Sequence, residues 1–109
     1  MLFRSRVLAV STVKRSSVLP EVPTLDSIYP GIDVDQWFLF FAPSGTPAAA
    51  IARLSAEAVK ALQHADAKAF MLREGIDAVG SAPADAAAFY EREIAKFAGI
   101  IRIAGVKPE

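Results

Sequence analysis

A chain of 109 residues is long enough for one domain of ordinary size and too short for two lobes with a ligand cleft between them. Hydrophobic residues make up 53% and charged residues 22%, which is typical of a globular chain and excludes disorder over most of its length. Twelve basic side chains balance twelve acidic ones, so no net charge favours nucleic acid or an anionic membrane. Without cysteine, the chain has no disulfide, thiolate metal site or thiol nucleophile.

The N-terminal segment carries two arginines and only a four-residue apolar stretch, which is too short for the core of a secretory signal peptide. The longest uncharged run is broken by Pro43 and Pro47, so it does not predict a membrane span. We therefore expect a soluble chain that lacks a signal peptide and is cytoplasmic if it is expressed as it stands.

The first predicted element is a buried strand over residues 7–10, a short apolar run rich in β-forming residues. Residues 14–31 contain three prolines, which forbid a regular helix or a central strand and predict a loop. Within this loop, Thr24 is expected to cap one helical turn over residues 25–29, and Pro30 to stop it.

A second strand is predicted over residues 37–42, where the sequence is apolar without interruption. Continuous apolarity indicates a strand that is covered on both faces, as in the centre of an α/β sheet. The remaining strand candidate is the short segment 76–79. These three strands are too few for a complete doubly wound sheet. Residues 37–42 thus resemble a central strand whose sheet is largely missing.

Three helices are also predicted. The complete predicted order is strand, loop, strand, two helices, short strand and long helix, which is an α/β arrangement. Thr46 and Pro47 predict the start of the first, as N-cap and first helical residue. The second is predicted over residues 66–74 and ends at Gly75. The third runs over residues 83–104 before Gly105 and Pro108, and its apolar side is Tyr90, Ile94, Phe97 and Ile101.

Catalytic and metal-binding patterns are scarce. His64 is the only histidine, near Asp66 at a helix end, and is interpreted as a surface residue, which makes a transition-metal site improbable. The helix start at Thr46 offers free N–H groups either for capping or for an anion. Asp33 and Asp35 would share one face of a strand, as paired carboxylates or as a polar strand entry. We therefore predict that the chain is not an enzyme and uses no cofactor.

Five motifs in a fixed order carry more information than any one of them. The motifs are residues 6–12 (RVLAVST), 14–16 (KRS), 19–24 (LPEVPT), 37–47 (WFLFFAPSGTP) and 104–108 (AGVKP). With these motifs in this order, the chain resembles the C-terminal third of the Bug family, the TctC-related solute-binding receptors of tripartite tricarboxylate transporters.

The resemblance implies part of a type II periplasmic-binding-protein fold, with residues 1–31 from the end of the second lobe and residues 32–109, including the crossover strand, from the first lobe. It implies a periplasmic receptor that captures small carboxylates and delivers them to membrane permease subunits. Of the residues present, Ser11, Thr12 and Trp37 are the expected neighbours of the ligand. No nucleic-acid partner and no membrane span are expected.

Two hypotheses remain open. In the first, the chain is a truncated part of such a receptor that does not bind its ligand alone and tends to self-associate through exposed apolar surface. In the second, it is a stand-alone α/β interaction module that dimerises through the strand at residues 38–41 and the long last helix, with no solute role.

Overall fold

The structure, a computed structural model, describes residues 5–107. Residues 1–4, at the start of the N-terminal segment, and Pro108, expected after the last helix, lie outside the described residues. About half of the chain is helical. The helices are α1 (Leu25–Ile28), α2 (Ala48–Gln63), α3 (Ala65–Glu74) and α4 (Pro83–Ala104).

The predicted α/β fold is wrong, because residues 5–107 contain no strand and no sheet. The segments 37–42 and 76–79 have no ladder, and residues 7–10 contribute only Val10, in a single parallel bridge with Thr24. A strand is a property of two paired segments, since its N–H and C=O groups bond to a neighbour. These three segments are apolar, but no neighbouring segment pairs with them along their length, so their backbone is irregular.

The short helix α1 has the N-cap that its sequence predicts. Thr24 has an extended backbone, and its hydroxyl oxygen accepts a hydrogen bond from the Ser27 N–H at 3.2 Å. The Tyr29 N–H bonds to the Leu25 carbonyl at 2.7 Å, which ends the turn just before Pro30. The cap and the end of α1 that the sequence predicts are therefore confirmed.

Helix α2 begins one residue later than predicted. The Pro47 carbonyl accepts the first bond of the helix, from the Ile51 N–H at 3.1 Å, so Pro47 precedes the first helical residue. The Thr46 hydroxyl donates to the Pro43 carbonyl at 2.8 Å and closes the preceding turn. This one-residue difference reflects the usual uncertainty of helix ends.

Helices α3 and α4 end as the sequence predicts, at glycines in the left-handed conformation. Gly75 has φ 69° and follows α3, and Gly105 has φ 67° and follows α4. Because glycine has no Cβ, it takes this conformation at no steric cost. His64 precedes α3 as its N-cap residue, without a side-chain capping bond.

The described residues form two structural units: residues 5–38 with 63–78, and residues 39–62 with 79–107. In the first unit Val22 and Thr24 are buried, and in the second unit Glu93 is buried. Val22 is the one hydrophobic residue among residues 5–107 that is buried. Each unit therefore leaves most of its apolar side chains accessible.

No helix within the described part of the chain is both long enough and apolar enough to cross a membrane.

Candidate functional site

The candidate site is built where three segments of the first unit meet. Val10 donates its N–H to the Pro23 carbonyl at 3.0 Å and accepts from the Leu25 N–H at 2.8 Å, which is the hydrogen-bond pattern of the bridge with Thr24. On the following residue, the Ser11 carbonyl accepts from the Val34 N–H at 2.9 Å. The segment at residues 10–11 thus lies hydrogen-bonded between residues 23–25 and residue 34, and we call these residues the loop cluster.

Ser11 and Thr12 lie at the surface of the loop cluster. Ser11 is exposed and Thr12 is half-buried. The Thr12 hydroxyl donates to the Lys14 carbonyl at 2.6 Å, so its proton is used within the loop while its oxygen keeps acceptor capacity. A serine or threonine hydroxyl can donate to a carboxylate oxygen, and Ser11 is the better placed of the two for that role.

Trp37 is half-buried and belongs to the same unit. It follows Val34 by three residues, which places its Cα within about 10 Å of the Val34 Cα. The structure therefore brings the backbone of Ser11 against the segment that leads to Trp37. The indole supplies a flat apolar wall and one N–H donor, and it is the chain's only tryptophan.

Several side chains fasten the Pro-rich loop that supports this cluster. The Arg15 guanidinium donates to the Pro20 carbonyl at 2.8 Å, and the Ser17 hydroxyl donates to the Asp77 carboxylate at 2.7 Å. The Asp26 carboxylate accepts from the Gly31 N–H at 2.8 Å. These bonds fix loops whose backbone has no regular secondary structure to hold it.

An open cleft of about 480 Å³ lies in the first unit between residues 6–8 and residues 19–23. Its lining combines one cation and one anion with apolar side chains. The lining residues are Arg6, Val7, Leu8, Leu19, Glu21, Val22 and Pro23. Neither Arg6 nor Glu21 was predicted from the sequence to be a site residue. The sequence offers one signal for each of them. Arg6 is a basic residue five positions before Ser11, and Glu21 is an acidic residue between two prolines.

The structure does not group the other polar residues considered from sequence into a metal centre. Among residues 5–107, no three His, Cys, Asp or Glu side chains lie close enough to hold a metal ion. His64 Nδ1 is 3.7 Å from an Asp66 carboxylate oxygen, and both side chains are exposed. Asp33 and Asp35 lie outside any strand, so the face-sharing argument for a carboxylate pair does not apply.

Comparison with known proteins assigns the chain to a family. The model of the tripartite tricarboxylate transporter family receptor, TctC, matches residues 3–106. A UPF0065 protein from the tcbD–tcbE intergenic region of Pseudomonas sp. is 36% identical over 100 residues, which is 90% of this chain and 30% of that protein. Protein BugT of Bordetella pertussis is 32% identical over 103 residues, which is 94% of this chain and 32% of BugT.

The chain spans about a third of the length of the curated relatives it matches. The family model nevertheless covers almost the whole chain, including the loop cluster, the cleft and all four helices. The resemblance based on the five ordered motifs is therefore confirmed, and the chain belongs to the TctC family of tripartite tricarboxylate transporter receptors.

Proposed function

We propose that the chain is part of an extracytoplasmic solute-binding receptor that captures small carboxylates for a tripartite tricarboxylate transporter. The observation that carries this proposal is the match of the receptor family over residues 3–106. The receptor works in the periplasm and delivers its ligand to membrane permease subunits. Its chemistry is reversible binding, without catalysis and without a cofactor.

The ligand lies beside the loop cluster, with Ser11, Thr12 and Trp37 as its neighbours in this chain. Ser11 donates its hydroxyl to a carboxylate oxygen, and Trp37 packs its indole against the body of the ligand. Support comes from the bond between the Ser11 carbonyl and the Val34 N–H, which brings these segments together. Arg6 lines the adjacent cleft together with Glu21, and its guanidinium is a group that can pair with a carboxylate.

The 109 residues alone bind carboxylates weakly. A small-ligand site usually buries about 70–90% of the ligand surface. The loop cluster and the open cleft are formed by one unit of a chain that spans about a third of its relatives, and they offer few donors to surround a ligand. Exposed apolar side chains also favour loose self-association of the chain by itself.

Calorimetry with citrate, succinate, glutamate and benzoate tests the proposal in two proteins. One is the 109-residue chain, and the other is BugT with its aligned segment replaced by this chain. We expect no saturable binding to the chain alone and saturable binding of at least one carboxylate to the chimera. In the chimera, Ser11→Ala and Trp37→Phe each weaken binding by about tenfold, the loss of one hydrogen bond or close contact.

Ser44→Ala is the matched control, because Ser44 is an exposed loop serine of the other unit and its removal leaves affinity unchanged. Micromolar binding by the 109-residue chain alone contradicts the proposal that these residues are insufficient. A folded chimera that binds none of the carboxylates contradicts the receptor role.

A further inference from the structure

A side-chain hydrogen bond joins two parts of the first unit that are distant in the sequence. The Ser17 hydroxyl donates to the Asp77 carboxylate at 2.7 Å, across 60 residues. Residues 39–62, which lie between these positions in the chain, belong to the second unit. The bond therefore links residues 5–38 of the first unit to residues 63–78 of the same unit.

The same two segments also meet in an apolar contact beside this bond. Gly75 follows α3 with φ 69°, and a Cβ added to it would lie 3.6 Å from the Val18 Cγ2. The Ile76 N–H bonds to the Met71 carbonyl at 2.8 Å, which fixes the backbone that leaves the helix. Asp77, two residues after the glycine, is thus held beside a completed helix end.

The loop that carries Ser17 is hydrogen-bonded within itself. We call residues 15–23 the proline loop. The Leu19 N–H bonds to the Ser16 carbonyl at 3.3 Å, and the Val22 N–H bonds to the Leu19 carbonyl at 3.1 Å. These are i, i+3 bonds of two consecutive turns, and the first of them encloses Ser17. The proline loop is therefore stiffer than an unbonded segment, and a displacement of Ser17 moves its neighbours as well.

The far end of the proline loop belongs to the loop cluster. The Pro23 carbonyl accepts from the Val10 N–H at 3.0 Å, and Val22, just before Pro23, is buried. Ser11 follows Val10 directly. A continuous series of contacts thus runs from Asp77 through the proline loop to the backbone of Ser11, as energetic coupling between distant residues requires.

The carboxylate of Asp77 acts on an anionic ligand in two ways that have opposite signs. Its negative charge repels a carboxylate, so removal of the charge alone strengthens binding slightly, because Asp77 is exposed and salt screens it. Its oxygen holds the Ser17 hydroxyl by a charge-assisted hydrogen bond, roughly twice as strong as a neutral one. Removal of that bond frees the proline loop and weakens binding. The sign of the effect therefore identifies the role.

We propose that Asp77 is a positioning residue for carboxylate binding at the loop cluster. It holds Ser17, and through the proline loop it fixes the backbone that presents the Ser11 hydroxyl. Asp77 does not touch the ligand. Its effect is to restrict the positions of residues 10–11 before binding, which lowers the cost of ordering them around a ligand. This inference rests on the proposed function, since it takes the loop cluster as the ligand site.

The first test is hydrogen exchange in the 109-residue chain without ligand. Asp77→Ala and Ser17→Ala each speed the exchange of the Val10 and Leu25 amides by about fivefold, because these amides donate bonds of the loop cluster. The double variant exchanges no faster than either single variant, since both changes remove the same bond. Asp77→Asn keeps an acceptor oxygen and restores most of the protection. The amides of α4, in the other unit, are unaffected, which excludes general unfolding.

The second test is the affinity of the BugT chimera for whichever of citrate, succinate, glutamate and benzoate it binds. Asp77→Ala weakens this affinity by about threefold, whereas Asp77→Asn stays close to the unsubstituted chimera. Asp66→Ala is the matched control, because Asp66 is an exposed carboxylate of the same segment, beside His64. It removes the same charge and leaves both the exchange and the affinity unchanged.

The inference is overturned if Asp77→Ala leaves the exchange of the Val10 and Leu25 amides unchanged. It is also overturned if the effects of Ser17→Ala and Asp77→Ala add in the double variant, because the two side chains then act independently. Tighter carboxylate binding in both Asp77→Ala and Asp77→Asn assigns Asp77 an effect of charge alone and overturns the inference too.

The inference and the proposed function fail separately. If the exchange changes as expected but the folded chimera binds none of the carboxylates, the receptor role is contradicted while Asp77 still positions the loop cluster. If the chimera binds a carboxylate and Asp77→Ala leaves the affinity unchanged, the receptor role stands and the inference is overturned.

Discussion

The loop cluster of the first unit and the last helix of the second unit differ in what holds them in place. The loop cluster is stabilised by hydrogen bonds across the sequence, from Val10 to Pro23 and Leu25, and from Ser11 to Val34. In helix α4, by contrast, the apolar residues Ile101 and Ile103 near the C-terminal end are exposed. Polar groups thus find partners within the chain, while much of the apolar surface does not.

This difference follows from the number of neighbouring groups that each interaction requires. A hydrogen bond needs one donor and one acceptor at the right distance, and two short segments provide them. Burial of an isoleucine needs neighbours on all sides, typically six or more residues in contact. A chain that spans about a third of its relatives satisfies the first requirement more readily than the second.

The largest expected effect concerns a covered charge pair of α4, Glu93 and Lys96. Glu93 and Lys96 have the same i, i+3 spacing as Glu57 and Lys60 on α2, but the first pair is largely covered and the second is exposed. Lys96→Met removes the cation that lies 2.6 Å from the largely covered Glu93 carboxylate and costs about 2 kcal/mol, less than the loss from a fully buried pair. The measurement is the free energy of unfolding in urea.

Lys60→Met is the matched control and changes the free energy of unfolding by about 0.5 kcal/mol or less, as for most exposed ion pairs. Equal effects at the two positions would show that the covered pair of α4 is no more important than the exposed pair of α2. The contrast between the two pairs would then disappear.

An intermediate effect is expected in the loop cluster. Thr24→Ala removes the hydroxyl that caps α1 and costs about 1 kcal/mol of stability. Thr24→Ser keeps the hydroxyl and retains most of this stabilisation. The change is followed by the fluorescence of Trp37, the only tryptophan, which lies in the same unit. An unchanged unfolding midpoint in Thr24→Ala would show that the cap does not stabilise the cluster.

Effects of about 1 kcal/mol or less, with opposite signs, are expected at two glycines of the same region. Gly99 lies inside α4 with nothing within 4 Å of an added Cβ, and Gly99→Ala is expected to stabilise the helix by up to about 1 kcal/mol. Gly105 has φ 67°, and Gly105→Ala destabilises it by about 1 kcal/mol through backbone strain. Thermal unfolding followed by far-ultraviolet circular dichroism measures both changes. Shifts of the same sign would contradict this account of the helix end.

Part of the candidate site was accessible from sequence. Thr24 was predicted as a cap because a hydroxyl residue just before a short helical run has a local effect. Ser11, Thr12 and Trp37 were selected through the family resemblance, and their binding roles stay predictions. The cleft lined by Arg6 and Glu21 was not predicted, because it forms between segments that are distant in the sequence.

By itself, the sequence determined the helices, their glycine ends and the family, because capping, periodicity and ordered motifs act within a few residues. Only the tertiary structure decided that residues 7–10, 37–42 and 76–79 form no strands. Only it revealed that Glu93 is covered while Ile103 is exposed. Strand pairing and burial both depend on what lies alongside a segment, and no property of the segment alone supplies that neighbour.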